Sequence, residues 1–136
     1  MTTNTFKTWI DFDWIFVRDI PDFKMTDDEY LARIRILEPL KISEKLFALM
    51  ENTDWCIITG RKHYLQIITD RQLRKVVPEK FMKNFKGIYY KHTNIPDFRF
   101  KIEKCRELEI DLYIESNYTQ SIQIWKQLNC IHYEKL

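Results

Sequence analysis

Three short apolar runs, each ending abruptly in polar groups, limit what this chain can fold into: Ile10-Asp11-Phe12-Asp13, Ile57-Ile58-Thr59-Gly60-Arg61 and Leu112-Tyr113-Ile114-Glu115-Ser116. Runs of this length without alternating polarity read as strands buried on both faces, the condition of a parallel sheet covered by helices. The first strand is expected over 7–13, the second over 55–59 with Gly60 closing it, and the fourth over 110–114. Gly87-Ile88-Tyr89-Tyr90 supplies a third strand, and 130–133 a short last one.

Helical patterning fills the gaps. Thr26 with Glu29 three residues on has the form of a capping box, predicting a helix from there to about Leu37. Pro39 interrupts it, and 42–51 resumes with Leu46, Leu49 and Met50 on one face. Residues 62–76 are helical up to Pro78, Pro96 and Asp97 open a helix to about Glu109, and 118–128 form the last. The segment 14–24 reads as a loop. Alternation of strand and helix with short connections calls for an α/β fold. We expect a single doubly wound, Rossmann-like domain over 1–136, with a mostly parallel sheet of about five strands and no large cap domain. At 136 residues and 45% apolar content, the chain can build such a core without disulfides.

In such a sheet, ligands bind outside the carboxyl ends of the strands. The polar groups that end the runs would therefore meet. Aspartate is a competent nucleophile toward phosphoryl groups, and a neighbouring acid can protonate the leaving oxygen. Asp11 and Asp13 could divide these roles, although the same pair would also serve as turn-forming residues at a strand end. A phosphate monoester approaches two carboxylates only with a cation such as Mg²⁺ beside them. The hydroxyl of Thr59, and the backbone amides of Gly60 and Arg61 at a helix start, could hold phosphate oxygens. Lys101 could neutralise charge, and Glu115 could bind a metal. Trp14 could stack on a base or form core or pocket wall.

Taken in order, Asp11-Phe12-Asp13, Thr59, Lys101 and Glu115-Ser116 resemble the motif set of the haloacid dehalogenase-like (HAD) phosphohydrolase superfamily over nearly the whole chain. The resemblance implies Asp11 as nucleophile, Asp13 as general acid/base, Thr59 and Lys101 as phosphoryl-holding groups, and Mg²⁺ at Asp11, Asp13, Glu115 and Ser116. A narrower similarity links Thr59-Gly60-Arg61 and the stretch from Asp111 to Lys126 to the 3′-phosphatase domain of phage polynucleotide kinase. It implies nucleic-acid 3′ ends or nucleotides as substrates, with Gly60 and Arg61 in contact, and the stacking reading of Trp14 would add a third contact. Two departures stand out. Trp14-Ile15 replaces the usual Gly-Thr, and Ser116 replaces the second member of an acidic pair. Loss of that charged ligand predicts weak Mg²⁺ binding, and the alternative expectation is a catalytically impaired binding module for nucleic acid or a protein.

Charge is uneven: residues 1–60 carry a net −4, 61–104 a net +8, and 105–136 a net −2. A basic middle would suit a polyanion, or simply a solvated lysine-rich surface. Cys56, Cys105 and Cys130 are too scattered for a disulfide framework, and the polar opening residues lack a secretory pattern. With no run near the ~20 residues of a membrane helix, the expectation is a cytoplasmic protein without a membrane partner.

Overall fold

A computed structural model describes residues 6–18, 26–92 and 94–136, so the expected loop over 14–24 lies outside the described residues from 19 onward. Five strands form one sheet: β1 (Lys7–Ile10), β2 (Asp54–Lys62), β3 (Phe85–Lys91), β4 (Leu112–Glu115) and β5 (Cys130–His132). Their order is β3-β2-β1-β4-β5, and every neighbouring pair is parallel. Five helices cover the sheet: α1 (Asp27–Ile34), α2 (Glu44–Asn52), α3 (Gln66–Val76), α4 (Asp97–Glu107) and α5 (Tyr118–Trp125). This is the expected small Rossmann-like α/β architecture.

The period-2 pleat sorts the apolar runs into two cores. Ile10, Ile57 and Ile114 face one side, packed with Leu46 and Met50 of α2 and Leu73 of α3. Trp9, Cys56, Ile58 and Tyr113 face the other, under Phe100, Ile102 and Cys105 of α4 and Ile124 of α5. Trp9 stacks on Tyr113 at 4.1 Å between ring centroids, and its indole N–H donates to the Ile58 carbonyl at 3.1 Å. That bond satisfies a polar group that burial would otherwise leave unpaired.

Several boundaries differ from expectation for local reasons. Thr26 does cap α1, accepting from the Glu29 amide at 3.1 Å, but the helix ends at Ile34 rather than near Leu37. α4 stops at Glu107 rather than 109 because Glu109 takes the left-handed conformation (φ 54°) that closes many helices. The largest change is in β2, which continues past Gly60 to Lys62 and pairs there with Lys91 of β3. α3 begins only at Gln66, after a single 3₁₀ turn. Thr59-Gly60-Arg61 therefore lies within a strand and not at a helix N-terminus.

The chain fills the sheet outward from β1 through β2 to β3, then returns to place β4 and β5 on the other side. The carboxyl end of β1 is thus the point where strand order reverses, the place where open α/β sheets bind ligands.

Candidate active site

Ile10 pairs with Ile57 on one side and Ile114 on the other, which sets the ends of three strands level. Asp11 follows directly, its amide donating to the Ile114 carbonyl at 3.0 Å. Its carboxylate is held at three points. Oδ1 accepts from the Phe12 amide at 2.8 Å and lies 3.5 Å from Lys101 Nζ, while Oδ2 accepts from the Ser116 hydroxyl at 2.7 Å. Lys101, nearly fully buried on α4, also donates to both oxygens of Glu115, at 3.0 and 3.3 Å, and to Gln120 Oε1 at 3.1 Å. Gln120 is set by Asn117, whose side chain caps α5 by accepting from the Gln120 amide.

One ammonium here serves two buried acids, and the acids respond oppositely. Burial pushes Asp11 up, but Lys101 and hydrogen bonds from Glu115, Ser116 and Phe12 hold it below the ordinary carboxyl range. Glu115, with no exposed surface, is pushed up to about 9 by burial and by the Asp11 charge, against the pull of Lys101. Lys101 is raised above its ordinary range by both carboxylates despite burial. At neutral pH the cluster is an Asp11 carboxylate, a protonated Glu115 and a lysine cation between them.

Asp13 has different company. The Arg61 guanidinium, 4% exposed, donates from Nε to both Asp13 oxygens at 3.2 Å and from Nη2 to Oδ1 at 2.6 Å. Its Nη1 donates to Thr69 Oγ1 at 3.0 Å and Gln72 Oε1 at 2.8 Å, and its plane lies over the Phe12 ring. Gln72 in turn donates to the Ile34 carbonyl at the end of α1. Burial lifts the Asp13 carboxyl above its ordinary range, opposed by Arg61.

These groups line a cleft of about 250 Å³ with Trp14, Tyr30, Gly60 and Asp97. Asp11, Asp13, Glu115 and Ser116 meet there, as their positions at strand ends suggested, and Lys101 joins them from α4. Trp14 is half exposed, at a left-handed φ of 66°. Thr59 is not among the lining residues: fully buried, its hydroxyl accepts from the Arg61 amide at 3.1 Å. Gly60 forms part of the wall because a Cβ there would lie 2.5 Å from Asp97 Oδ2. Sequence reasoning missed Asp97 and Gln120. For Asp97 a signal existed, since it precedes Lys101 by one helical turn.

Among the described residues, no group of three or more His, Cys, Asp or Glu side chains is placed to hold a metal ion. The donors that could hold Mg²⁺ are fewer. Asp11 Oδ2 and Ser116 Oγ, joined by a 2.7 Å hydrogen bond, are the two oxygens that would hold the ion. Together they offer one charged and one neutral oxygen, with water and a phosphate left to complete the shell. Both Glu115 oxygens are taken by Lys101.

No protein-family model and no curated protein sequence matches this chain. Among the described residues, no helix is long and apolar enough to cross a membrane.

Proposed function

We propose that this chain is a HAD-like phosphomonoester hydrolase working through an aspartyl-phosphate on Asp11, with Mg²⁺ bound weakly at Asp11 and Ser116. The observation that carries the reading is the state of Asp11. It is an ionised carboxylate on the cleft, at the strand-order reversal, oriented by a buried lysine and the Phe12 amide. Asp13, two residues on, is an acid with a raised pKa on the same cleft.

The steps balance with this chain's own groups. An Asp11 oxygen attacks phosphorus as the ester P–O bond breaks, and the leaving oxygen takes a proton from Asp13, a role that requires Asp13 to part from Arg61 and be protonated first. Water then attacks the aspartyl-phosphate, returns a proton to Asp13, and releases phosphate with Asp11 restored. Lys101 keeps Asp11 ionised and neutralises charge beside it. Bound Mg²⁺ would supply charge neutralisation for the phosphoryl oxygens in a cleft that otherwise presents four acids. Mono-esters of nucleotides or nucleic-acid 3′ ends are the substrates this reading favours. Trp14 offers an exposed ring at the cleft, and Lys62, His63 and His92 stand exposed where β2 and β3 leave it.

The test is hydrolysis by the full chain, at millimolar Mg²⁺, of an aryl phosphate, a 3′-phosphorylated oligonucleotide, nucleotides and sugar phosphates. Turnover that disappears in Asp11→Asn supports the reading, and preference for the oligonucleotide supports the substrate class. Absence of turnover on the whole panel overturns it. One feature favours the second reading, a HAD-like binding module without catalysis. Arg61 is spent on Asp13, Thr69 and Gln72, and the Thr59 hydroxyl lies beneath the cleft wall, so two expected phosphate contacts are engaged elsewhere. That reading predicts ligand binding by a protein that never turns over.

A further inference from the structure

A valley separate from the active-site cleft runs between α1 and α3. Leu31 and Arg35 of α1 line one side. Ile67, Ile68, Arg71 and Lys75 of α3 line the other, with Tyr64 at one end, around a volume of about 480 Å³. Its composition is polarised. Leu31, Tyr64, Ile67 and Ile68 form an apolar stretch, and the remaining charged groups are all cations.

Tyr64 is 57% exposed and Ile67 63%. Solvent-facing helix surfaces usually carry such side chains singly, and here they adjoin across one groove. Arg35, Arg71 and Lys75 are exposed and make no ion pair among the described residues. The nearest acid along α3, Asp70, is already paired with Arg74 at 3.0 Å. The valley therefore combines exposed apolar surface with positive charge that nothing in the described chain offsets.

We propose that this valley docks an acidic, amphipathic segment of a partner protein. Its apolar side chains would lie on Leu31, Ile67 and Ile68, and its carboxylates against Arg35, Arg71 and Lys75. A trough between two helices, with aliphatic side chains around the buried Gln72, is the form that receives an apolar helix face, and cations around it select an acidic helix over a basic one. The floor decides against nucleic acid. Single strands are held by rows of stacking rings, and this groove offers one ring, Tyr64, among aliphatic groups.

The experiment is a selection of random displayed peptides on the full folded chain, followed by binding measurements on the enriched sequences. The proposal expects enriched peptides with acidic residues beside large apolar ones at helical spacing. Their affinity should fall at least about tenfold in Arg35→Glu/Arg71→Glu, and likewise in Ile67→Asp. Lys86→Glu, on β3 beside Asp54 and outside the valley's lining, should leave binding unchanged. These are surface positions, so melting temperature should stay at the wild-type value, and Arg35→Ala/Arg71→Ala gives a milder version of the same test. Enrichment of no acidic–apolar class, or equal binding by the charge-reversed variant, overturns the proposal. Displacement of the peptide by a single-stranded oligonucleotide at comparable concentration would reassign the valley to nucleic acid.

Discussion

Asp11 and Asp13 are separated by one residue, yet the protein treats them in opposite ways. Asp11 shares a buried lysine with Glu115 and Gln120, and accepts a hydrogen bond from the Ser116 hydroxyl. Asp13 faces a planar guanidinium that is itself fixed by Thr69, Gln72 and the Phe12 ring. A lysine is a compact charge that can follow its partners, whereas the arginine fork imposes one geometry. On the Asp11 side one lysine cation stands between an anionic carboxylate and an acid whose pKa burial has raised. The Asp13 side is closed on itself. The difference teaches that β1 ends in one carboxylate held by a lysine and a hydroxyl and another fixed by a guanidinium fork.

Removing each cation should break that comparison most forcefully. Lys101→Met leaves the buried Asp11 carboxylate without its counter-charge and Glu115 without its hydrogen-bond donor, and should cost about 3–5 kcal/mol in denaturant unfolding at neutral pH. Arg61→Met should cost less, about 2 kcal/mol, because the Asp13 side chain keeps 21% of its surface in water and can rehydrate. Equal losses in the two variants would show that the halves are not different in kind.

The pH dependence sharpens the same contrast. Glu115 is raised from 4.5 to about 9 in the folded protein, so the folded state holds a proton that the unfolded chain has released. Its stabilising effect is complete below the unfolded value and is lost as pH rises toward 9. Through this group, metal-free protein should therefore lose stability as pH rises from about 4.5 to about 9, by at most about 1.4 kcal/mol per pH unit for one proton. Glu115→Gln should flatten that slope, and denaturant titrations at several pH values would show it. Arg61→Met should leave the slope intact.

Adding an acid beside Glu115 tests the proposed Mg²⁺ site. Ser116→Asp should tighten Mg²⁺ binding about tenfold or more, read as a larger rise in melting temperature at fixed Mg²⁺. The smallest effect is expected at the wall. Gly60→Ala should cost about 1 kcal/mol through its clash with Asp97, and Gly60→Ala/Asp97→Ala should recover most of it.

Much of this was legible in the sequence. Apolar runs closed by Asp11-Phe12-Asp13 and Glu115-Ser116 indicated strands whose ends meet, and they do meet. The capping box at Thr26 and Glu29 was visible because its determinants are three residues apart. The course of β2 was harder to read, since Gly60 looks like a strand end until its missing Cβ is seen to make room for Asp97 from α4. The Arg61 fork was hidden for a similar reason. Its partners Asp13, Thr69 and Gln72 come together only through tertiary packing, and an arginine beside a candidate phosphate site reads in sequence as substrate-binding. Likewise the basic middle segment is not one face: its residues divide between α3, β3 and α4, on both sides of the sheet.

The central claim is that Asp11 takes the phosphoryl group. Its most direct test is to quench the full chain with acid during turnover of a phosphomonoester with Mg²⁺, then map the attached phosphoryl group by mass spectrometry. The account predicts it on the peptide carrying Asp11, and its absence in Asp11→Asn. A phosphoryl group on another residue, or turnover that persists in Asp11→Asn, would contradict it.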